Sequence, residues 1–284
     1  MAIFTNQATL TYNNVTTNSN VATGELLEVL SATKTAVTPS YSTGEDVTYV
    51  ISILNSGTNP ITGVTVTDDL GAYTLGTQTL TPLTYREGSA ALFIGGILQP
   101  APTVAAGPPL AFSGITIPAG GNALLLYEAV ANEFAPPDIG GSIVNTATVT
   151  GTGITQEVTA TTTVLPSQAA RLSITKTISP SVVSENSRVT YTFLIQNFGS
   201  SPVDATGNAV VTDTFNPILQ DLTVTLNGDS LTEGTGYSYN EANGLFATTA
   251  GIITVPAATF NQNPESGVWE TTPGTAVLTV TGTI

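Results

Sequence analysis

"SATKTAVTPSYSTGEDVTYVISILNSG", residues 31 to 57, decides the fold. Inside it, "DVTYVISIL" (46 to 54) sets Val47, Tyr49, Ile51 and Ile53 on one face at period two, the spacing of a half-buried strand. The same alternation runs through a chain rich in Thr, Val, Gly, Pro and Asn, and no convincing amphipathic helix interrupts it. The fold class is therefore all-β. With 284 residues the chain is long enough for two domains, each burying its own core.

A second copy of the stretch follows as "SITKTISPSVVSENSRVTYTFLIQNFG" (173 to 199). Lys34 precedes Tyr49 by fifteen positions and Lys176 precedes Tyr191 by fifteen; six positions after each tyrosine stands an Asn-x-Gly turn, at Asn55 and Asn197. "VTVTDDL" (64 to 70) answers "AVVTDTF" (209 to 215), and "GITIPAG" (114 to 120) answers "IITVPAA" (252 to 258). "GNALLLYEAVA" (121 to 131) answers "GTAVLTVTGTI" (274 to 284), after an insertion in the second copy that contains "NQNPESGVWETT". The first copy then continues through "GSIVNTATVTGTGITQEVTATTTVLP" (141 to 166), which reads as two strands around a Gly-rich turn. The second copy reaches residue 284 without them.

Their skeleton stands elsewhere. "TNQATLTYNN" (5 to 14) repeats the Asn-x-Ala-Thr-apolar-Thr pattern of "VNTATVTGTG" (144 to 153), and Asn6 precedes Lys34 by 28 residues much as Asn145 precedes Lys176 by 31. The expected organisation is a donor hairpin at 1–30, a complete sandwich at 31–166, and a second at 167–284 that lacks its closing hairpin. Such a sandwich exposes unpaired backbone groups beside an uncovered apolar groove. A neighbouring subunit's N-terminal hairpin can fill it by strand addition. That contact joins unlike ends of two subunits, and such heterologous interfaces propagate into filaments unless they close a ring. The alternative is that residues 1–30 fold back on their own second domain as a closed monomer.

Composition narrows the chemistry. Twenty acidic residues against five basic ones give a formal charge of -15, which repels a nucleic-acid backbone or an anionic membrane surface, so no nucleic acid is expected as partner. With neither Cys nor His, the usual zinc, copper, haem and iron-sulfur sites and the usual general base are excluded, and no cofactor is expected. Acidic pairs such as Glu45 with Asp46 and Asp68 with Asp69 lack the spacing of a dedicated calcium loop and read as solvated turns. The run "AALFIGGILQPAPTVAAGPPLAF" is too broken by Pro and Gly for a membrane helix, so no membrane insertion is expected. "MAIFTNQATL" shows neither the basic nor the long apolar segment of a signal peptide.

The chain has two lysines, and both occupy the "TKT" position of the repeat. Period-two reading sets Lys34 with Ala32 and Ala36, and Lys176 with Leu172, Ile174 and Ile178. It sets Asp68 with Val64, Val66 and Leu70, and Asp213 with Ala209, Val211 and Phe215. Asn145 falls with Ile143, Ala147 and Val149, and Asn6 with Phe4, Ala8 and Leu10, so every member is expected on a core face. Buried Lys, Asp and Asn suit spontaneous isopeptide formation. Desolvation populates a neutral amine and favours a protonated carboxyl that polarises the Asn carbonyl; the amine attacks, Asp shuttles protons, and ammonia leaves. The expected sets are Lys34, Asp68 and Asn145 within one chain, and Lys176 and Asp213 with Asn6 of another subunit. This is a single turnover on the protein itself rather than enzyme activity. The non-covalent alternative is that each lysine forms an ion pair with its aspartate while the asparagines bond strand ends.

The pattern of "TKT", Tyr49, the Asn55 turn, "VTD" and "NTATVTG" resembles the bacterial and archaeal surface repeat known as domain of unknown function eleven. The resemblance implies Ig-like sandwiches of the kind found in cell-wall and fimbrial proteins, some of them isopeptide-forming. A short two-domain member without a visible sorting motif or anchor resembles a self-assembling pilus or spore-appendage subunit. Spore appendages are released by mother-cell lysis, and a similar route implies an extracellular or spore-surface location without a signal peptide. The function expected is thus a homopolymeric fibre subunit, with copies of itself as partners. The alternative is a two-repeat module of an adhesin or carbohydrate-binding stalk.

Overall fold

The computed structural model describes residues 2–284. It is all-β, as the alternation requires: two tandem Ig-like sandwiches follow an N-terminal hairpin, and the one helical piece among the described residues is a single 3-10 turn at Ala205–Gly207. In the first sandwich the strand Asp46–Asn55 lies between Leu30–Ala36 and Asn122–Ala131, and Val47, Tyr49, Ile51 and Ile53 are all fully buried. The facing sheet runs Thr103–Ala105, Leu110–Ile117, Ile61–Asp68, Ile143–Thr150, Val158–Pro166 and Ser40–Tyr41. Between the sheets Tyr49, Tyr127, Phe112 and Val149 pack with the aliphatic side chains in one core.

The second sandwich repeats half of this plan. Leu172–Ser179, Arg188–Asn197 and Gly274–Thr283 form a sheet in the same order as their first-sandwich counterparts, with Asn197 opposite Gly274 and Tyr191 opposite Val280. Its separate core holds Val189, Phe193, Phe215, Phe246 and Leu278. The facing sheet is shorter. In the first sandwich, Ile61–Asp68 lies inside its sheet, with Leu110–Ile117 on one side and Ile143–Thr150 on the other. In the second, Thr212–Thr214 is the outer strand, paired among the described residues only with Leu245–Thr248.

The N-terminal segment forms a long hairpin, with Ala2–Asn6 against Ala22–Leu26 and Thr9–Tyr12 against Val15–Asn18. It reverses at Asn13 and Asn14, whose φ angles of 47° and 64° suit asparagine, which tolerates the left-handed region. Among the described residues these strands pair only with one another. Ile3, Phe4, Leu10, Tyr12 and Val15 are exposed, and the Phe4 ring lies over Gly24.

The insertion is a hairpin of Thr259–Gln262 with Trp269–Thr272. It packs against the first sandwich of its own chain. Gln262 Nε2 donates to the Tyr73 hydroxyl at 2.7 Å, Gln78 Nε2 to the Glu265 carbonyl at 2.8 Å, and the Trp269 backbone N–H to the Glu133 carbonyl at 3.1 Å.

Candidate cross-linking site

Four strands of the first sandwich deliver one polar side chain each into its core. Lys34 lies opposite Ile51 in the first sheet, and Asp68 closes its strand opposite Ala147 in the second. Asn145, two residues before Ala147, shares its face. All three positions predicted for the intrachain set are buried, Lys34 and Asp68 with side chains fully shielded from solvent. The fourth residue, Tyr127, sits opposite Tyr49, and the two rings stack at 5.4 Å.

A continuous hydrogen-bond chain joins them. Lys34 Nζ donates to Asp68 Oδ2 at 2.6 Å, and the Tyr127 hydroxyl donates to the same oxygen at 2.6 Å. Asn145 Nδ2 donates to the Tyr127 oxygen at 3.2 Å. The single phenolic proton is committed to Asp68, so the part of the carboxamide that faces Tyr127 must be the donor, its NH2 group. Asp68 Oδ1 accepts the Leu70 backbone N–H at 3.0 Å. Asn145 Oδ1 has no hydrogen-bond partner, while the Asn145 carboxamide interacts with the Tyr49 hydroxyl.

Burial holds the Lys34 amine below its ordinary value of 10.5, although the Asp68 carboxylate beside it pulls the other way. The Tyr49 ring lies 4.9 Å from Nζ. Burial, followed by the Asp68 charge, pushes the Tyr127 phenol well above its ordinary value, so this hydroxyl keeps its proton. Asp69 pins the asparagine strand in place, its Oδ1 accepting the Thr146 N–H at 2.9 Å.

The second sandwich reproduces the lysine and the aspartate in a different environment. Lys176 is ion-paired to Asp213 and lies 4.5 Å from the Tyr191 ring, but its side chain is 39% exposed and that of Asp213 18%. Period two placed Lys176 on a core face, and it is opposite the buried Phe193. The expected burial is not met, because no strand covers that face: Leu172, Ile174 and Ile178 are exposed with it. Asn6, also expected on a core face, is exposed on the hairpin, whose strands pair only with each other among the described residues. Neither does this site have a tyrosine at the place of Tyr127; Val280 stands there, opposite Tyr191.

The repeated Asn-x-Gly asparagines are structural. Asn55 Oδ1 accepts the Gly57 N–H and its amide donates to the Asn59 and Pro118 carbonyls; Asn197 does the same with Gly199, Ser201 and Pro256. Among the described residues no cluster of three or more acidic side chains could hold a metal ion, and no helix is long and apolar enough to cross a membrane. Sequence reasoning missed Tyr127. Its signal was present, a hydroxylated ring on the inner face of "GNALLLYEAVA" where the second copy has valine.

No protein family and no curated protein match the sequence. Among solved structures it is similar to BcpA, the major pilin subunit of Bacillus cereus, at 14% identity and a TM-score of 0.37 over 96% of this chain and 73% of that one. It is also similar to the full-length major pilin SpaD of Corynebacterium diphtheriae, at 12% identity and 0.39 over 86% and 59%. A third is a 35 kDa C-terminal fragment of the major pilin GBS80 of Streptococcus agalactiae, at 10% identity and 0.37 over 87% and 91%.

Proposed function

We propose that this chain is the structural subunit of an extracellular filament, in which residues 1–30 of one copy complete the second sandwich, 167–284, of the next. The observation that carries this reading is the outer strand Thr212–Thr214. Its counterpart in the first sandwich is covered by Ile143–Thr150, and the sequence skeleton of that covering strand recurs in the exposed hairpin at residues 5–11. Transferring the first-sandwich register puts Ala8 opposite Asp213, as Ala147 is opposite Asp68, and Thr9 opposite Thr212. Phe4, Asn6, Ala8 and Leu10 then enter the groove beside Leu172, Ile174 and Ile178. Each large apolar side chain so buried contributes about 1.5–3 kcal/mol.

In the same reading Lys34 and Asn145 join by an isopeptide bond inside the complete sandwich, 31–166. Lys176 joins Asn6 of the next copy, with Asp68 and Asp213 taking the protons. Burial favours the neutral amine at Lys34 already; at Lys176 the arriving hairpin supplies the burial. Deleting residues 1–20 tests the assembly: a fibre subunit loses its filaments and remains a folded monomer, whereas a stalk module folds and binds unchanged. Peptide mapping of boiled, SDS-treated filaments tests the bonds. Each joined pair is short of one ammonia, and the ladder of multimers vanishes in Lys176→Ala and in Asn6→Ala.

A further inference from the structure

We infer that Tyr127 is a catalytic residue of the intrachain cross-link, the relay through which Asp68 protonates the departing nitrogen of Asn145. The inference rests on the isopeptide reading above and adds a residue and a direction of proton flow to it. The expected polarisation of the Asn145 carbonyl by a protonated Asp68 is not met: both Asp68 oxygens accept hydrogen bonds, from Lys34, Tyr127 and the Leu70 N–H, and neither reaches Asn145. The path between them runs through one hydroxyl, which gives its proton to Asp68 Oδ2 at 2.6 Å and receives Asn145 Nδ2 at 3.2 Å. Lys34 Nζ meets the same Oδ2 at 2.6 Å, so a single carboxylate oxygen faces both the nucleophile and the relay.

The step balances without any external reactant. Starting from the neutral amine, the Lys34 Nζ–Asn145 Cγ bond forms and one Nζ proton passes to Asp68 Oδ2. As the Cγ–Nδ2 bond breaks, the Tyr127 proton passes to Nδ2 and the proton on Asp68 replaces it on the phenol. The core then holds an amide, ammonia is expelled, and Asp68 and Tyr127 end as they began. The carbonyl oxygen of Asn145, unpartnered at the outset, is the atom on which negative charge develops during attack. A phenol whose own ionisation is suppressed can lend its proton only if another is delivered in the same event, and Asp68 is placed to deliver it.

The second sandwich sharpens the assignment. Val280 occupies the equivalent position and has no proton to give, so the Lys176 site depends on whatever the incoming hairpin brings. The relay belongs to the site whose lysine, aspartate and asparagine all come from one chain.

The test follows cross-link formation during cell-free synthesis of the full chain, by timed peptide mass mapping. Wild type is expected to yield the Lys34–Asn145 peptide short of one ammonia. Tyr127→Phe is expected to form it about a hundredfold more slowly, the scale of one lost acid-base group. Fold is monitored separately by comparing the melting of Lys34→Ala with that of Lys34→Ala/Tyr127→Phe, neither of which can cross-link. If the phenylalanine variant does not fold, fluorotyrosine placed at position 127 alters phenol acidity with little change of shape, and the rate is expected to change with it. A rate unaffected by either replacement overturns the relay and leaves the cross-link standing. No joined peptide in wild type overturns the cross-link itself.

Discussion

The two lysine sites have the same ancestry in the repeat and opposite surroundings. Lys34 and Asp68 are sealed under a strand that carries an asparagine, whereas Lys176 and Asp213 lie on an open face with no asparagine of their own chain beside them. The difference teaches that burial here is not a property of the lysine strand. It is conferred by the closing hairpin: in the first case Val158–Pro166 lies against Leu30–Ala36 and Ile143–Thr150 pairs with the Asp68 strand, and in the proposed assembly a neighbour's N-terminal hairpin takes their place. In the proposed assembly, one missing strand accounts for the exposed Leu172, Ile174 and Ile178, the outer position of Thr212–Thr214 and the exposed apolar side chains of the N-terminal hairpin.

The largest expected effect comes from removing the proposed cross-link in the closed site. Asn145→Ala frees a loop of about a hundred residues, and chain-entropy estimates for a covalent closure of that size give a loss near 4–5 kcal/mol, read by denaturant unfolding. Next is the contrast between the ion pairs in cross-link-free protein. With Asn145→Ala as background, Asp68→Ala strands a buried amine and is expected to cost about 3–5 kcal/mol, while Asp213→Ala in unassembled protomers costs at most about 1 kcal/mol because solvent screens that pair. Equal losses would break the comparison.

A smaller effect is the dependence on pH. The folded-state value of Lys34 is lowered, so below 10.5 the unfolded chain binds more protons and stability rises with pH. Asn145→Ala should therefore gain stability from pH 7 towards pH 9 relative to Asn145→Ala/Lys34→Met. A wild type whose amine is locked in an amide lacks this Lys34 contribution. The tyrosines of the same core, Tyr49 and Tyr127, have raised values and act only at higher pH, where they lower stability.

Much of this was legible in the residues. Alternation around Tyr49 gave the buried strand, and the repeat gave the equivalence of Lys34 with Lys176; the shared skeleton supplies the proposal of a displaced closing strand. Periodicity also predicted the side of the sheet to which Lys176 belongs, but not its exposure. Which face a residue takes is local, while burial depends on a strand distant in sequence. The role of Tyr127 lay beyond pattern reading for a related reason: its link between Asp68 and Asn145 comes from packing two sheets together. The clasp by Gln262 and Trp269 against Tyr73 and Glu133 is likewise a contact between sequence-distant loops.

The central claim is strand donation between copies, and the absence of native cysteine makes it directly measurable. The register places Thr9 of one copy against Thr212 of the next. A chain carrying Thr9→Cys and Thr212→Cys, assembled and then mildly oxidised, is expected to run as a disulfide ladder of multimers that collapses to monomer on reduction. To keep isopeptide bonds from masking the result, the chain also carries Lys176→Ala. A disulfide formed only within single chains, or none in assembled filaments, would contradict the account.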